Sequence, residues 1–212
     1  MIQWLRDWAR THTEQDRYSP VGIAFHWIMA GLVVFQLGYG WYVSMLPSGG
    51  DKYLGYHLHT EVGLLILILA MLRFLWRMVI PAPQFDHDSP PIQDFIARAT
   101  HWIFYICFFL LPLSGWVMWS ALGTNQPLTV GGVLPWPALP FAGLDSATQI
   151  WLLESAEVVH HWLILVLAVL IPLHVAAALK HHFWNRHDVL KGMLPEIPDA
   201  PATKKPRMPR SG

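Results

Sequence analysis

The sequence predicts an all-α membrane protein, a bundle of four transmembrane helices, and three observations carry that prediction. Of its 212 residues, 54% are hydrophobic and only 13% are charged, a balance outside the soluble globular range and inside that of membrane chains. Four runs, 21–43, 58–80, 101–122 and 158–179, each reach the ~20 apolar residues that span a bilayer as a helix. The Lys and Arg residues gather near the ends of those runs and are sorted almost entirely to one side.

Residues 1–17 read as an N-terminal interfacial segment, because IQWLRDWA sets Ile2, Leu5 and Trp8 on one helical face with Arg6, Asp7 and Arg10 elsewhere; a frayed terminus is the plainer alternative. The opening MIQWLRDWARTHTEQDRYSP has no apolar core before its charges. No cleavable signal peptide is therefore expected, and insertion rests on the helices themselves. Residues 18–195 are assigned to the four-helix domain. Between the third and fourth spans, 123–157 is rich in Pro, Gly and Trp and has no basic residue, and it reads as a loop capping the bundle at the interface. Residues 196–212, Pro-rich and basic without apolar periodicity, read as a disordered tail.

Charge predicts orientation. Arg6, Arg10 and Arg17 precede the first span, Arg73, Arg77 and Arg98 lie at or beyond the end of the second, and seven more begin with Lys180, so 13 of 14 basic residues fall on one side and only Lys52 on the other. Both termini are then expected to face the cytoplasm. A formal net charge of zero argues against a nucleic-acid partner, whose phosphates need a basic surface. The single cysteine, Cys107, allows no internal disulfide, no CxxCH haem attachment and no thiolate cluster, so any metal must be held by histidine.

The fourth span, VVHHWLILVLAVLIPLHVAAALKHH at 158–182, carries five histidines. Ionisable groups inside a span are costly and mark candidate sites; for any single one, a neutral imidazole bonded to a neighbouring helix is the bland alternative. Spacing separates the five. Fourteen residues at about 100° each return to within about 40° of the starting direction, about 21 Å further along the axis. His160 and His174 stand in that relation, on one face at two depths. His161 points roughly to the opposite side, and a kink at Pro172 would not reverse the choice. Two stacked metal centres are therefore expected, each with a partner at its own depth: His26 for His174, and His59 for His160.

Iron in haem takes imidazoles on both faces of a flat ring, and the ring needs small neighbours. Gly55 and Gly63 flank His59, Gly22 and Ala30 flank His26, Ala177 and Ala178 follow His174, and Ala156 precedes His160. His57 has Tyr53 and Glu61 instead, which favours His59. Zinc or copper would lack a thiolate or carboxylate set at either level. Arg73, fourteen residues after His59, reaches the inner level on the same face. It is a candidate for an inner haem propionate or a quinone headgroup, with a snorkelling membrane-edge arginine as the alternative.

RYSPVGIAFHW at the first span, HTEVGLLILILAMLRFLWRMVIPAP at the second, THWIFYICFFLLPLSGWVM at the third and LHVAAALKHHFW at the fourth follow one another over about residues 17–195. In these motifs the chain resembles the bacterial cytochrome b561 family of four-helix, di-haem membrane proteins. The resemblance implies two haem b groups in a multi-pass protein of the bacterial inner membrane, with iron held by His26 and His174 on the cytoplasmic side and by His59 and His160 on the outer side. It also implies ubiquinone or another quinone at the inner haem, which brings in His101 and His181. His181 lies seven residues after His174, within about 20° of its direction, and is placed to deliver a proton there. For His101 a structural role against another helix competes.

The function this implies is transmembrane electron transfer between an outer donor or acceptor and the quinone pool, in either direction. Some family members look like superoxide oxidases that pass the electron to ubiquinone, and a superoxide:quinone oxidoreductase is the enzyme version of the reading. A positive funnel would speed capture of that anion, whereas the outer surface offers Lys52 against Asp51, Asp145, Glu154 and Glu157. The alternative is a haem-bearing membrane anchor and electron relay subunit for a separate dehydrogenase or reductase. A non-haem transporter or metal permease using the same histidines is a third class, and it predicts a colourless protein.

Overall fold

The computed structural model describes residues 3–5, 7, 17–80, 91–123, 127–184 and 190–195. Four helices account for most of them: α1 (Pro20–Met45), α2 (Gly50–Val79), α3 (Pro91–Ala121) and α4 (Ser146–Phe183). Each is long and apolar enough to cross a membrane, and the chain is a four-span helical bundle. Of residues 1–17, Gln3, Trp4, Leu5 and Asp7 are helical. Apart from these and Arg17, the expected interfacial segment lies outside the described residues, as does the whole tail 196–212.

Local chemistry explains the helix ends. Pro20 opens α1, where a missing N–H costs nothing, and Ser19 caps it by accepting from the Gly22 N–H at 3.2 Å. The same buried hydroxyl accepts from the Trp76 indole of α2 at 3.1 Å, joining α1 and α2 at that end. At the other end Lys52 donates to the carbonyls of Ser44 (2.9 Å) and Leu46 (3.0 Å), which a helix terminus leaves unpaired.

Three helices begin well before their apolar runs: α2 at Gly50 rather than 58, α3 at Pro91 rather than 101, and α4 at Ser146 rather than 158. Hydropathy marks only the length facing lipid, and a helix continues through polar residues until a cap ends it. For α4 that cap is Asp145, which accepts from the Thr148 N–H at 3.0 Å. The stretch 123–157 is accordingly a loop only in part. Its last residues belong to α4, and within it lies a hairpin of β1 (Leu128–Val130) and β2 (Leu134–Trp136), antiparallel with Leu128 opposite Trp136. Gly131 and Gly132 turn it at φ 63° and 72°, a left-handed backbone that glycine adopts without penalty.

Helices adjacent in sequence pack side by side, α1 on α2, α2 on α3 and α3 on α4. Helix α4 has the highest hydropathy of the four and the smallest buried share. At mid-depth one cluster takes Met29 and Val33 from α1, Ile66 and Ala70 from α2, Cys107 from α3 and Leu167 from α4. A second, of Leu64, Leu67 and Trp119 with Leu128 and Val130, seats the hairpin on α2 and α3. There Glu61 accepts from the Thr129 N–H at 2.8 Å and from the Thr129 hydroxyl, and the Trp116 indole donates to the Pro137 carbonyl at 2.9 Å. At the opposite end a 3-10 turn, Lys191–Met193, folds back on α1. Its Gly192 carbonyl accepts from the Tyr18 N–H at 3.1 Å and its Met193 carbonyl from the Trp27 indole at 2.6 Å.

Candidate functional site

Inside the bundle, histidines face one another at two depths. His26 of α1 and His174 of α4 have ring centres 6.3 Å apart at 52°; His59 of α2 and His160 of α4 lie 6.2 Å apart at 66°. Helix α4 contributes one ring to each pair, from positions about 21 Å apart along its axis. Two imidazoles on opposite sides of one metal ion, bonded at about 2 Å, have ring centres about 6 Å apart. Both separations match that arrangement. His101 of α3 also approaches His174, at 6.0 Å and 67°, so a third ring joins the His26–His174 pair.

At the His26 level, Arg73 brings a guanidinium nitrogen to 3.5 Å from His26 Nδ1. Trp27 stands edge-on to the His26 ring at 5.2 Å, and Phe104 edge-on to His174 at 5.3 Å. His181 is half-buried on α4, beyond His174.

At the other level, His160 Nδ1 lies 3.1 Å from the Leu111 carbonyl and 2.9 Å from Ser114 Oγ. A carbonyl only accepts, so Nδ1 carries the proton and donates. The Ser114 hydroxyl donates to the same carbonyl at 2.8 Å, which leaves its lone pairs for His160. Nε2 is then the ring's free lone pair, the tautomer a metal ligand needs. In the opposing ring, His59 Nδ1 is buried without a hydrogen-bond partner.

A glycine provides the space beside the His59 ring, whereas at His160 a Cβ would make only ordinary contact. A Cβ at Gly40 would lie 2.6 Å from His59 Cε1, and one at Gly115 would lie 3.7 Å from His160 Cε1. Gly40 therefore lets the α1 backbone pass the His59 ring. The glycines flanking His59 in sequence act differently from the sequence expectation: a Cβ at Gly55 would meet Val43 at 2.8 Å, and one at Gly63 the Gln36 amide at 3.6 Å. Gly55 lets α2 close on α1, while Gly63 leaves ordinary contact. Paired rings at metal-bridging distance, a fixed Nδ1 proton and a glycine beside the His59 ring together fit a flat macrocycle held by two histidines. Among the described residues no group of three or more His, Cys, Asp or Glu is placed to hold a metal ion.

Among the described residues, three further histidines stand apart from these pairs. His57 Nε2 lies 3.2 Å from the Pro127 carbonyl and its ring is edge-on to Trp119 at 5.2 Å, which ties it to the hairpin region. His161 is exposed and borders a groove with Glu154, Glu157 and Trp162. His182 packs on Phe183 at 4.8 Å with a buried, unpartnered Nδ1. Sequence reasoning missed Ser114, Gly115, Gln36 and Gly40. Ser114 and Gln36 carried a signal, since each is a polar residue inside an apolar run.

The sequence model for prokaryotic cytochrome b561 matches residues 17–196. Cytochrome b561 homolog 2 of Escherichia coli K12 is 33% identical over 181 residues, covering 84% of this chain and 92% of that protein. The probable superoxide oxidase CybB of Yersinia pestis is 26% identical over 180 residues, covering 85% and 97%. Cytochrome b561 homolog 1 of Escherichia coli K12 is 26% identical over 192 residues, covering 85% and 98%.

Proposed function

Because the chain belongs to the prokaryotic cytochrome b561 family, membrane electron-transfer proteins with b-type haem, we propose that it carries electrons across the bacterial inner membrane between an outer redox partner and the quinone pool. Two haems would serve, one between His26 and His174 and one between His59 and His160. The observation that carries this reading is α4, which presents His174 and His160 to those partners at 6.3 and 6.2 Å.

Bound haem supplies reversible one-electron chemistry; the protein supplies the rest. Leu111 and Ser114 hold His160 with Nε2 free to bind, and Gly40 leaves room beside His59. Arg73 places a guanidinium beside His26, where it would pair with a propionate carboxylate or a quinone oxygen. Between the levels, the cluster of Met29, Val33, Ile66, Ala70, Cys107 and Leu167 keeps water and ions out. His101 and His181 are assigned to a quinone at the His26 level, with His181 handing on protons. The bias of Lys and Arg supports a cytoplasmic position for that level and for both termini.

The name of the Yersinia pestis relative supports superoxide as the outer electron source. A specific observation favours the rival, a relay subunit for a separate dehydrogenase or reductase. Lys52 is engaged at the end of α1, while Glu154 and Glu157 border an open groove beside His161; such a face repels an anion and attracts a basic partner. Purified protein tests both. Superoxide-driven quinone reduction by the chain alone supports the oxidase, copurification with a soluble redox subunit supports the relay, and a colourless protein after expression with adequate haem overturns the whole reading.

A further inference from the structure

The Gln36 amide nitrogen of α1 donates to the backbone carbonyl of His59. This contact leaves two buried polar atoms unpartnered, Gln36 Oε1 and His59 Nδ1. Gln36 Oε1 can only accept, and Nδ1 becomes a donor once the ring binds a metal through Nε2. Gln36 and Gly40 lie one turn apart on α1, and a Cβ at Gly40 would stand 2.6 Å from His59 Cε1, 3.1 Å from Nδ1 and 3.5 Å from Nε2. The ring edge that carries Nδ1, Cε1 and Nε2 therefore faces the stripe of α1 from which Gln36 reaches. Across the site His160 already has its acceptor in the Leu111 carbonyl; His59 has none.

We propose that Gln36 Oε1 accepts the Nδ1 proton of ligated His59, making Gln36 the positioning residue that orients this ligand and raises its basicity. The inference rests on reading His59 as an axial haem ligand. Metal-bound histidines as a rule donate their second ring N–H, and the acceptor both fixes the ring and strengthens its donation to the metal. Stronger donation favours the oxidised iron, so the acceptor lowers that haem's reduction potential. A glutamine that only steadied the His59 backbone would act through its amide nitrogen and leave the potential alone.

The test is a spectroscopic redox titration of the full-length purified protein with haem quantification, in wild type, Gln36→Leu, Gln36→Glu and His59→Ala. The haem lost in His59→Ala identifies the one to follow. Gln36→Leu should raise the potential of that haem, or release it, and leave the other unchanged. Gln36→Glu keeps an acceptor oxygen and should retain the haem at a potential equal to or below that of wild type. Unshifted potentials with both haems bound in Gln36→Leu, or a Glu variant that behaves as the Leu variant does, overturns the role of Gln36. Retention of both haems in His59→Ala instead overturns the ligand reading beneath it.

Discussion

Ser114 of α3 and His160 of α4 are hydrogen-bonded, Oγ to Nδ1 at 2.9 Å. The contact joins α3 to α4 at the imidazole proposed as an outer haem ligand, and it divides the hold on Nδ1 between a side chain and the Leu111 carbonyl at 3.1 Å. Ser114→Ala removes only the side chain's share. Both haems should still bind, with affinity at the His59–His160 site falling about tenfold, the low end for loss of an outer-shell partner. Haem titration of the apoprotein measures it.

Gly40 and Gly55 should fail in different ways. Gly40→Ala sets a Cβ 2.6 Å from His59 Cε1, so the ring must move, and the expected result is loss of one haem from a folded protein. Gly55→Ala drives a Cβ to 2.8 Å from Val43, a backbone-to-core clash costing about 1–3 kcal/mol of bundle stability. The fraction that folds should keep two haems. Haem-to-protein ratio and thermal denaturation of each variant separate the cases.

Glu61 fastens the hairpin. Glu61→Ala leaves the part-buried Thr129 N–H without its acceptor, at a cost of about 1–3 kcal/mol. Limited proteolysis should then cut near residues 127–140 at lower protease concentration than in wild type, with haem content unchanged.

Asp145 gives α4 a pH-dependent start. Hydrogen bonds from the Thr148 hydroxyl and N–H hold its carboxyl below the usual carboxylate range. A depressed value in the folded state means that the contribution is complete above the ordinary carboxylate range and is lost as pH falls through the depressed value. The Tm difference between wild type and Asp145→Ala should be constant from neutral pH to about pH 5 and shrink below it.

The bundle was legible because hydropathy over a bilayer's length is a strong signal, whereas the helix starts at Gly50, Pro91 and Ser146 depend on caps and polar turns that hydropathy ignores. The hairpin escaped notice since its strands are three residues each and its fold depends on Glu61, far away in sequence. Pairing histidines by depth is a matter of helical arithmetic, and it needs no knowledge of packing. Identifying the neighbours that shape their surroundings does. Gly40 reaches His59 from another helix, and Ser114 reaches His160 the same way, so neither appears among the small residues flanking a histidine in its own segment. Gly55, which does flank His59, faces Val43 instead.

The claim that α4 is shared by two haems is tested most directly by reduced-minus-oxidised spectra with haem quantification, in wild type and in His160→Ala, His161→Ala, His59→Ala and His57→Ala. The account predicts two b-type haems in wild type, one in His160→Ala and in His59→Ala, and two in His161→Ala and in His57→Ala. A single haem in wild type, or loss of haem from His161→Ala or His57→Ala with both retained in His160→Ala or His59→Ala, would contradict it.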